Sequence, residues 1–361
     1  MNNSDPSPTP RAAKRASGAS ISAVAELAGV SVATVSNVLN RPEVVSSTLR
    51  HRVEKAVASL GYVPNAAARS LRRGVTASVG AVFFDISNPF FATVTRQMAT
   101  VASEHGYVLT VMSTDQDPDR EEKALEFLLQ HGVRAIVVTT ALANLDHLVE
   151  LQGRGVAVTL LAQASDREEI GSVTIDDAEG MRLIVEHLLS GGATRLGFID
   201  GPRSARQHIL RRASVEDALT AAGRGLTEAL TTVIAPSPDP AGGRVAMAEL
   251  LRLTEGRLDA VVCINDYTAI GAIQALGDAG LRVPQDVAVT GFDDIDAAAL
   301  LAVPLTTVRQ PLADLGTLAI TTVMDVAEGR AALPAHHVLA PTLIRRPSTA
   351  TPNLNDEGET R

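Results

Sequence analysis

Near the front of the chain two short apolar patterns recur at helical spacing, Ile21, Val24, Ala25 and Leu27, then Val30, Val35, Val38 and Leu39, separated by the corner Gly29-Val30-Ser31. Gly29 falls where the first helix must stop, and Ser20 and Ser31 stand where a hydroxyl caps the helix that follows. Ala25 is small enough for the second helix to cross closely over the first. A third helix is expected from about Ser46 to Leu60, with Val53, Val57 and Leu60 inward and Arg50, Arg52 and Lys55 outward. From Ala77 the period changes. The apolar runs SVGAVFF, YVLTVMST, RAIVVTT and VAVTLLA read as strands, with helices near Phe91–His105, Pro118–His131 and Leu145–Gly153 between them. A second series follows in SVTIDD, RLGFIDG, LTTVIA, AVVCIND and VAVTGFDD, and a helix at Leu312–Val326 precedes one more strand, HHVLAPTLIRR. Continuous apolar strands spaced by helices predict parallel sheets covered on both faces, so the fold class is α/β: an all-α helix-turn-helix unit followed by two doubly wound lobes.

Charge changes this picture. The 361 residues carry a net charge of −9, which argues against nucleic acid only if the charge is evenly spread. Residues 1–75 hold ten Lys/Arg against four acids, leaving 22 basic and 37 acidic residues for the remainder. A basic head concentrates phosphate attraction in one place, and the acidic remainder repels DNA. The single cysteine, Cys263, lies in an apolar run, excludes an internal disulfide framework and fits a reducing cytosol. No window of about 18 apolar residues reads as a membrane span, and residues 1–18 have basic residues without the apolar core of a secretory signal. Those residues read as a disordered arm, and the expected location is cytoplasmic.

The predicted second helix leaves Val32, Ala33, Ser36 and Asn37 outward near its start, where a recognition helix meets base edges, although any two-helix hairpin shares part of this pattern. After Pro64-Asn65, the segment AAARSLRR has too few residues to form a stable helix alone.

Three stretches, VAELAGVSVATVSNVLN, the VS-x-x-x-R-x-x-V segment from Val45 to Val53, and LGYVPNAAARSL, resemble the headpiece and hinge of the lactose-repressor/galactose-repressor (LacI/GalR) family of bacterial transcription regulators. The resemblance runs on to about Pro347. It implies a headpiece at 19–63, a hinge helix at 64–75, and a periplasmic-binding-protein-like body at 76–347 with a disordered tail at 348–361. Within that body the implied N-lobe is 76–176 with 310–338 and the C-lobe 177–309 with 339–347, the chain crossing near Asp176, Gln310 and Leu339. DNA contacts are then expected from Ser20, Ser31, Val32, Ala33, Thr34, Ser36, Asn37, Asn40, Arg50, Tyr62, Asn65, Ala68 and Leu71, with Leu71 the apolar wedge at the central base step. Val32 and Ala33 are apolar, so direct readout there should use thymine methyl groups, and specificity leans on DNA shape. Effector contacts are expected from Asp85, Asn88, Phe90, Phe91, Asp176, Arg211, Asp266 and Phe292. Asp176 and Asp266, at strand ends, have a second reading as caps of the helices that follow.

The sequence departs from the family at Arg212 and Ser214 and in the basic loop Arg203–His208; if that loop lines the cleft, it opens the way to an anionic effector. There is no tryptophan to serve as a sugar platform, and Phe292 is the residue placed to substitute. The tail has no leucine heptads, so a two-fold homodimer on a pseudo-palindromic operator is expected. These observations predict a repressor-type regulator controlled by a small metabolite, a sugar or sugar derivative. The alternative is a solute-binding sensor without DNA regulation. No phosphate loop, nucleophile elbow or metal-spaced His cluster suggests an enzyme, a cofactor or a metal.

Overall fold

The computed structural model describes residues 20–62, 78–142, 144–203, 205–332 and 334–350. The chain divides into two units, Met1–Gly74 and Val75–Arg361.

The first unit contains α1 (Ile21–Ala28), α2 (Val32–Asn40) and α3 (Ser47–Leu60). Ser20 Oγ accepts the Ala23 N–H at 3.2 Å and Ser31 Oγ the Thr34 N–H at 3.1 Å, so both helices begin on a hydroxyl cap. Gly29 ends α1 with φ +61°, a left-handed turn that glycine adopts without a Cβ penalty, and the two helices bend by 102° across the corner. Val24, Ala25, Ala28, Val35, Val38, Val53 and Ala56 form the core. Leu27 and Leu60 depart from the inward positions expected of them: they are 56% and 36% exposed, because Ala28 and Ala56 take the buried turns of their helices.

The second unit holds two parallel sheets. Its elements are β1 (Ser78–Phe83), α4 (Pro89–Glu104), β2 (Val108–Ser113), α5 (Pro118–Gln130), β3 (Ala135–Val138), α6 (Asp146–Gly153), β4 (Ala157–Leu161) and β5 (Gly171–Ile175). They continue with α7 (Asp177–Ser190), β6 (Leu196–Asp200), α8 (Arg206–Ala221), α9 (Leu226–Ala229), β7 (Leu230–Ile234), α10 (Pro240–Leu253), β8 (Ala260–Cys263) and α11 (Asp266–Asp278). The remainder is β9 (Ala288–Thr290), α12 (Asp296–Leu300), β10 (Thr307–Arg309), α13 (Leu312–Ala327), β11 (His336–Leu339) and β12 (Thr342–Ile344). The first sheet has the order β11-β5-β4-β3-β1-β2 and the second β7-β6-β8-β9. All of these pairings are parallel.

Strand alternation explains why the strands read as unbroken apolar runs. Val79, Ala81 and Phe83 face the cluster under α4 and α13, while Val82, Ile136 and Val158 face α5 and α6. In the second sheet Phe198 and Val262 share the first of these clusters, and Ile199, Val261 and Cys263 pack under α10 and α11. The chain passes from the first lobe to the second between β5 and α7, returns between β10 and α13, and crosses once more between β11 and β12. HHVLAPTLIRR, read as one strand, is two: β11 extends the large sheet, whereas β12 pairs antiparallel with β10 in the other lobe. Pro341, which has no N–H to offer a ladder, stands at the break. The expected disordered tail also begins too early. Ser348 is fully buried and its hydroxyl donates to Val289 O at 2.6 Å.

Candidate functional site

In the first unit, the start of α2 presents Val32 (40% exposed), Ala33 and Asn37 to solvent, while Thr34 and Ser36 are half-buried. Ser20 and Ser31 serve as caps and are exposed, and the Ser31 and Thr34 hydroxyls share a 2.9 Å hydrogen bond. Asn40 is the last residue of α2. Tyr62 packs half-buried on the small core. Arg50 donates to Pro42 O at 2.8 Å, tying α3 to the turn Pro42–Val44, and its buried Nε meets no hydrogen-bond partner among the described residues. Asn65, Ala68 and Leu71 lie outside the described residues.

Arg52 is exposed on the outward face of α3, as expected, and has a further role there. Its Nη2 donates to Ala28 O at 2.6 Å and to Gly29 O at 3.2 Å, the carbonyls left over where α1 stops. A Cβ on Gly29 would stand 2.8 Å from that nitrogen, which a flexible arginine can yield, so the corner needs glycine chiefly for its φ of +61°.

In the second unit a narrow cleft opens between the lobes at the carboxyl ends of the strands, where ligand sites of doubly wound sheets fall. Of the expected effector residues, Asp85, Asn88, Phe90, Phe91 and Arg211 line it. The Asp85 carboxylate receives the Ser87 N–H and hydroxyl at 2.8 and 2.9 Å, and Asn88 caps α4 by accepting the Phe90 N–H at 3.0 Å. Phe90 and Phe91 both reach the cleft. Phe91 stacks on Phe83 at 5.2 Å and meets Phe84 and Phe90 edge-on, so the ring is held in place by three others.

The opposite wall is built around a buried charge. Arg211 donates from Nε to Asp177 at 2.7 Å and from Nη1 to Ile264 O at 2.8 Å, and lies 3.9 Å from an Asp293 oxygen. Its guanidinium carbon rests 3.6 Å from the centre of the Phe292 ring. Burial raises the carboxyl groups of Asp177 and Asp293, the latter to about 8, with Arg211 pulling both the other way. Gln310 donates to Asp293 at 2.6 Å, and Asp293 itself adopts φ +120°. Gln116 and Ala162, also in the lining, have φ of +61° and +55°. Three non-glycine residues in left-handed backbone at one cleft mark positions whose side chains the fold holds at a cost in local conformation.

Three expected effector residues stand elsewhere. Asp266 is fully buried and accepts the Thr307 hydroxyl at 2.5 Å and the Ile295 N–H at 2.9 Å; it joins β10 to the loop after β9, and burial lifts its carboxyl to about 7. Asp176 caps α7 by accepting the Glu179 N–H at 2.9 Å, the second of the two readings of that residue. Phe292 has no exposed surface and lies under Arg211, where its ring would collide with any Cβ on Gly180. Asp293, one residue along, carries the cleft carboxyl instead, and Asn265, Gln310 and His208 join it. The GFDD motif held that signal, but only the fold separates its two aspartates: Asp293 accepts from Gln310, while Asp294 pairs with Arg309 and Arg346. Of the basic loop, Gln207 and His208 reach the cleft whereas Arg203 is exposed. Burial pulls His208 down to about 4, so its ring is neutral. Arg212 is tied to the buried carboxylate of Asp200 at 2.6 Å.

A helix-turn-helix unit and a two-lobed α/β body with a cleft between its lobes define the class of ligand-regulated DNA-binding proteins. Residues 20–65 match the model of the bacterial regulatory proteins, lacI family, and residues 185–349 that of the periplasmic binding protein-like domain. The chain is 36% identical to the HTH-type transcriptional regulator GalR of Escherichia coli (strain K12), covering 93% of this chain and 97% of that one. It is 32% identical to the ribose operon repressor of the same strain, over 93% and 98% of the two chains. Among solved structures it is similar to the lac repressor dimer bound to operator and the anti-inducer ONPF (TM-score 0.80, 26% identity, 93% and 100% coverage). It is also similar to a complex of the transcriptional regulator CelR with cellobiose (TM-score 0.68, 28% identity, 91% and 99% coverage). The chain belongs to the lacI family and is a DNA-binding transcriptional regulator.

Proposed function

We propose that this regulator is a cytoplasmic repressor, acting as a two-fold dimer on a pseudo-palindromic operator, whose DNA affinity is set by a neutral carbohydrate held between the lobes of residues 76–347. The observation that carries the ligand class is the buried Arg211–Asp177–Asp293 cluster. Arg211 is the cation among the described lining residues, and it already has a carboxylate partner, while His208 is neutral. A phosphorylated ligand would bring charge to a cleft without a spare cation. Hydroxyl groups can instead bond to the carboxyl of Asp293 and the amides of Asn265 and Gln310, with the Phe91 side taking the apolar face of a sugar ring. The ribose operon repressor and the CelR–cellobiose complex support a carbohydrate. In the first unit, Val32, Ala33 and Asn37 read base edges, and Asn65, Ala68 and Leu71 supply further DNA contacts. Lobe closure on ligand alters operator affinity, and linkage requires that operator change ligand affinity by the same factor.

The test is a thermal-shift screen of the full-length protein against neutral sugars and sugar phosphates, repeated with Asp293→Ala. A neutral sugar at a hundredfold its dissociation constant should add about 2.7 kcal/mol, and the variant should lose that gain. Stabilisation by phosphorylated sugars alone, or by none of the panel, sinks the carbohydrate assignment.

A further inference from the structure

All three connections between the lobes reach one tripeptide, Phe292-Asp293-Asp294, in the loop after β9. The first connection enters α7 at Asp177, which holds Arg211, and the Arg211 guanidinium rests on the Phe292 ring. The second runs from β10 through Gln310. There the Asp293 N–H donates to Val308 O at 2.9 Å, and Gln310 donates to the Asp293 carboxyl at 2.6 Å. The third enters β12, which pairs with β10, and is tied down at Asp294. Arg346, just beyond β12, donates from Nη2 to one Asp294 oxygen at 2.6 Å, and Arg309, the last residue of β10, donates from Nε to the other at 2.6 Å. Arg346 is held in turn by Leu305 O, which its Nη1 meets at 2.9 Å. The Asp294 carboxylate is 7% exposed, so these charge-assisted bonds are shielded from water. Asp293 and Asp294 adopt φ of +120° and +56°, and this pair of left-handed residues sends one carboxyl to the cleft and the other to the two strands.

We infer that Asp294 is the positioning residue of lobe movement. It clamps β10 to β12, so the second and third connections turn as one unit, and a ligand held by Asp293 acts on that unit through the adjoining peptide. Asp294 itself is not part of the cleft lining. The inference rests on the lobe closure proposed above and is independent of the class of ligand.

Double electron–electron resonance on the full-length protein decides it, with spin labels at Glu122→Cys in α5 and Asp217→Cys in α8, an exposed position in each lobe. Native Cys263 is buried and takes no label, and dilution into unlabelled protein isolates the distance within one chain. In the ligand-free protein, Asp294→Asn should widen the distribution of interlobe distances at least about twofold, because connections no longer joined by one carboxylate pivot separately. Asp259→Asn is the control. Asp259 takes bonds from Thr194 and Arg195 just before β8, away from every connection, so its loss should lower the melting temperature and leave the width unchanged. Should Asp294→Asn not fold, Arg309→Gln, at a side chain 56% exposed, removes one of the two bonds and should still widen the distribution. An unchanged width in the variant that folds, or equal widening by Asp259→Asn, overturns the assignment. Selective widening upholds it whatever sugars do, and a wild-type distance that no neutral sugar shortens counts against closure alone.

Discussion

The two recognition surfaces of this chain are built on opposite plans. In the headpiece the reading residues sit on one exposed helix, and the buried core beneath them is seven side chains, none larger than valine. In the cleft, the lining comes from segments scattered between Phe84 and Gln310, and its decisive groups are nearly inaccessible: Arg211, Asp177 and Asp293 are 6%, 7% and 4% exposed. A surface that must slide along DNA keeps its side chains solvated until contact. A site that must tell one small molecule from another needs its polar groups dry and held in place, because hydrogen bonds discriminate best where water cannot replace them.

The largest expected effect probes the dry site. Asp177→Ala leaves the Arg211 guanidinium buried without its closest partner and should cost the body about 3–5 kcal/mol in urea unfolding. A loss below about 1 kcal/mol would mean the cluster is solvated like a surface pair, and the contrast with the headpiece would fail. The next effect lies in the headpiece. Arg52→Ala removes two charge-assisted bonds to the corner of the helix-turn-helix, worth about 1.5–3 kcal/mol, so operator affinity should fall roughly tenfold to a hundredfold. The slope of log affinity against log salt should nevertheless stay the same. A slope reduced by about 0.9 would show that Arg52 contacts a phosphate.

A pH series comes third. The native Asp293 carboxyl titrates near 8, above its ordinary value of 3.8, so between those values the folded protein holds a proton that the unfolded chain has released. Its contribution is fully present at low pH and is lost as pH rises through about 8, at up to about 1.4 kcal/mol per unit. Asp293→Asn should flatten the decline in stability between pH 5 and 8.5. A variant with the wild-type slope would place the proton elsewhere. The smallest effect is local: Ser31→Ala should lower headpiece stability by about 1 kcal/mol, read from its melting by circular dichroism, through loss of the bond to the Thr34 N–H.

The contrast also explains what was legible. The caps, the Gly29 stop and the strand runs depend on neighbours a few residues away, and they are found where the apolar spacing puts them. Leu27 was misread because helical spacing gives a face but not its width, and Ala28 fills the buried turn. Arg52 lies outward as its spacing indicates, but its bonds to the corner carbonyls were not legible because the partners lie 23 and 24 residues away. In the cleft, Asp85, Asn88, Phe90, Phe91 and Arg211 are brought together, whereas Asp266, expected there from the family resemblance, stands elsewhere, and Asp293, not among the expected residues, lines the cleft. Both follow a strand and both are buried. What separates them is that Thr307 and Ile295 claim Asp266, while Gln310 and the φ of +120° turn Asp293 toward the opening.

By itself, then, the sequence determined the two kinds of unit, the α/β class and the helix-turn-helix corner, since these follow from periodicity, capping and charge distribution along the chain; the aromatic side of the cleft came from the family resemblance. Only the tertiary structure decided which carboxylates face a ligand, which arginines are spent on carbonyls and carboxylates, and where the strand His336–Arg346 divides between lobes. A buried charge takes its role from whichever partner the fold delivers, and that pairing is not written in local spacing.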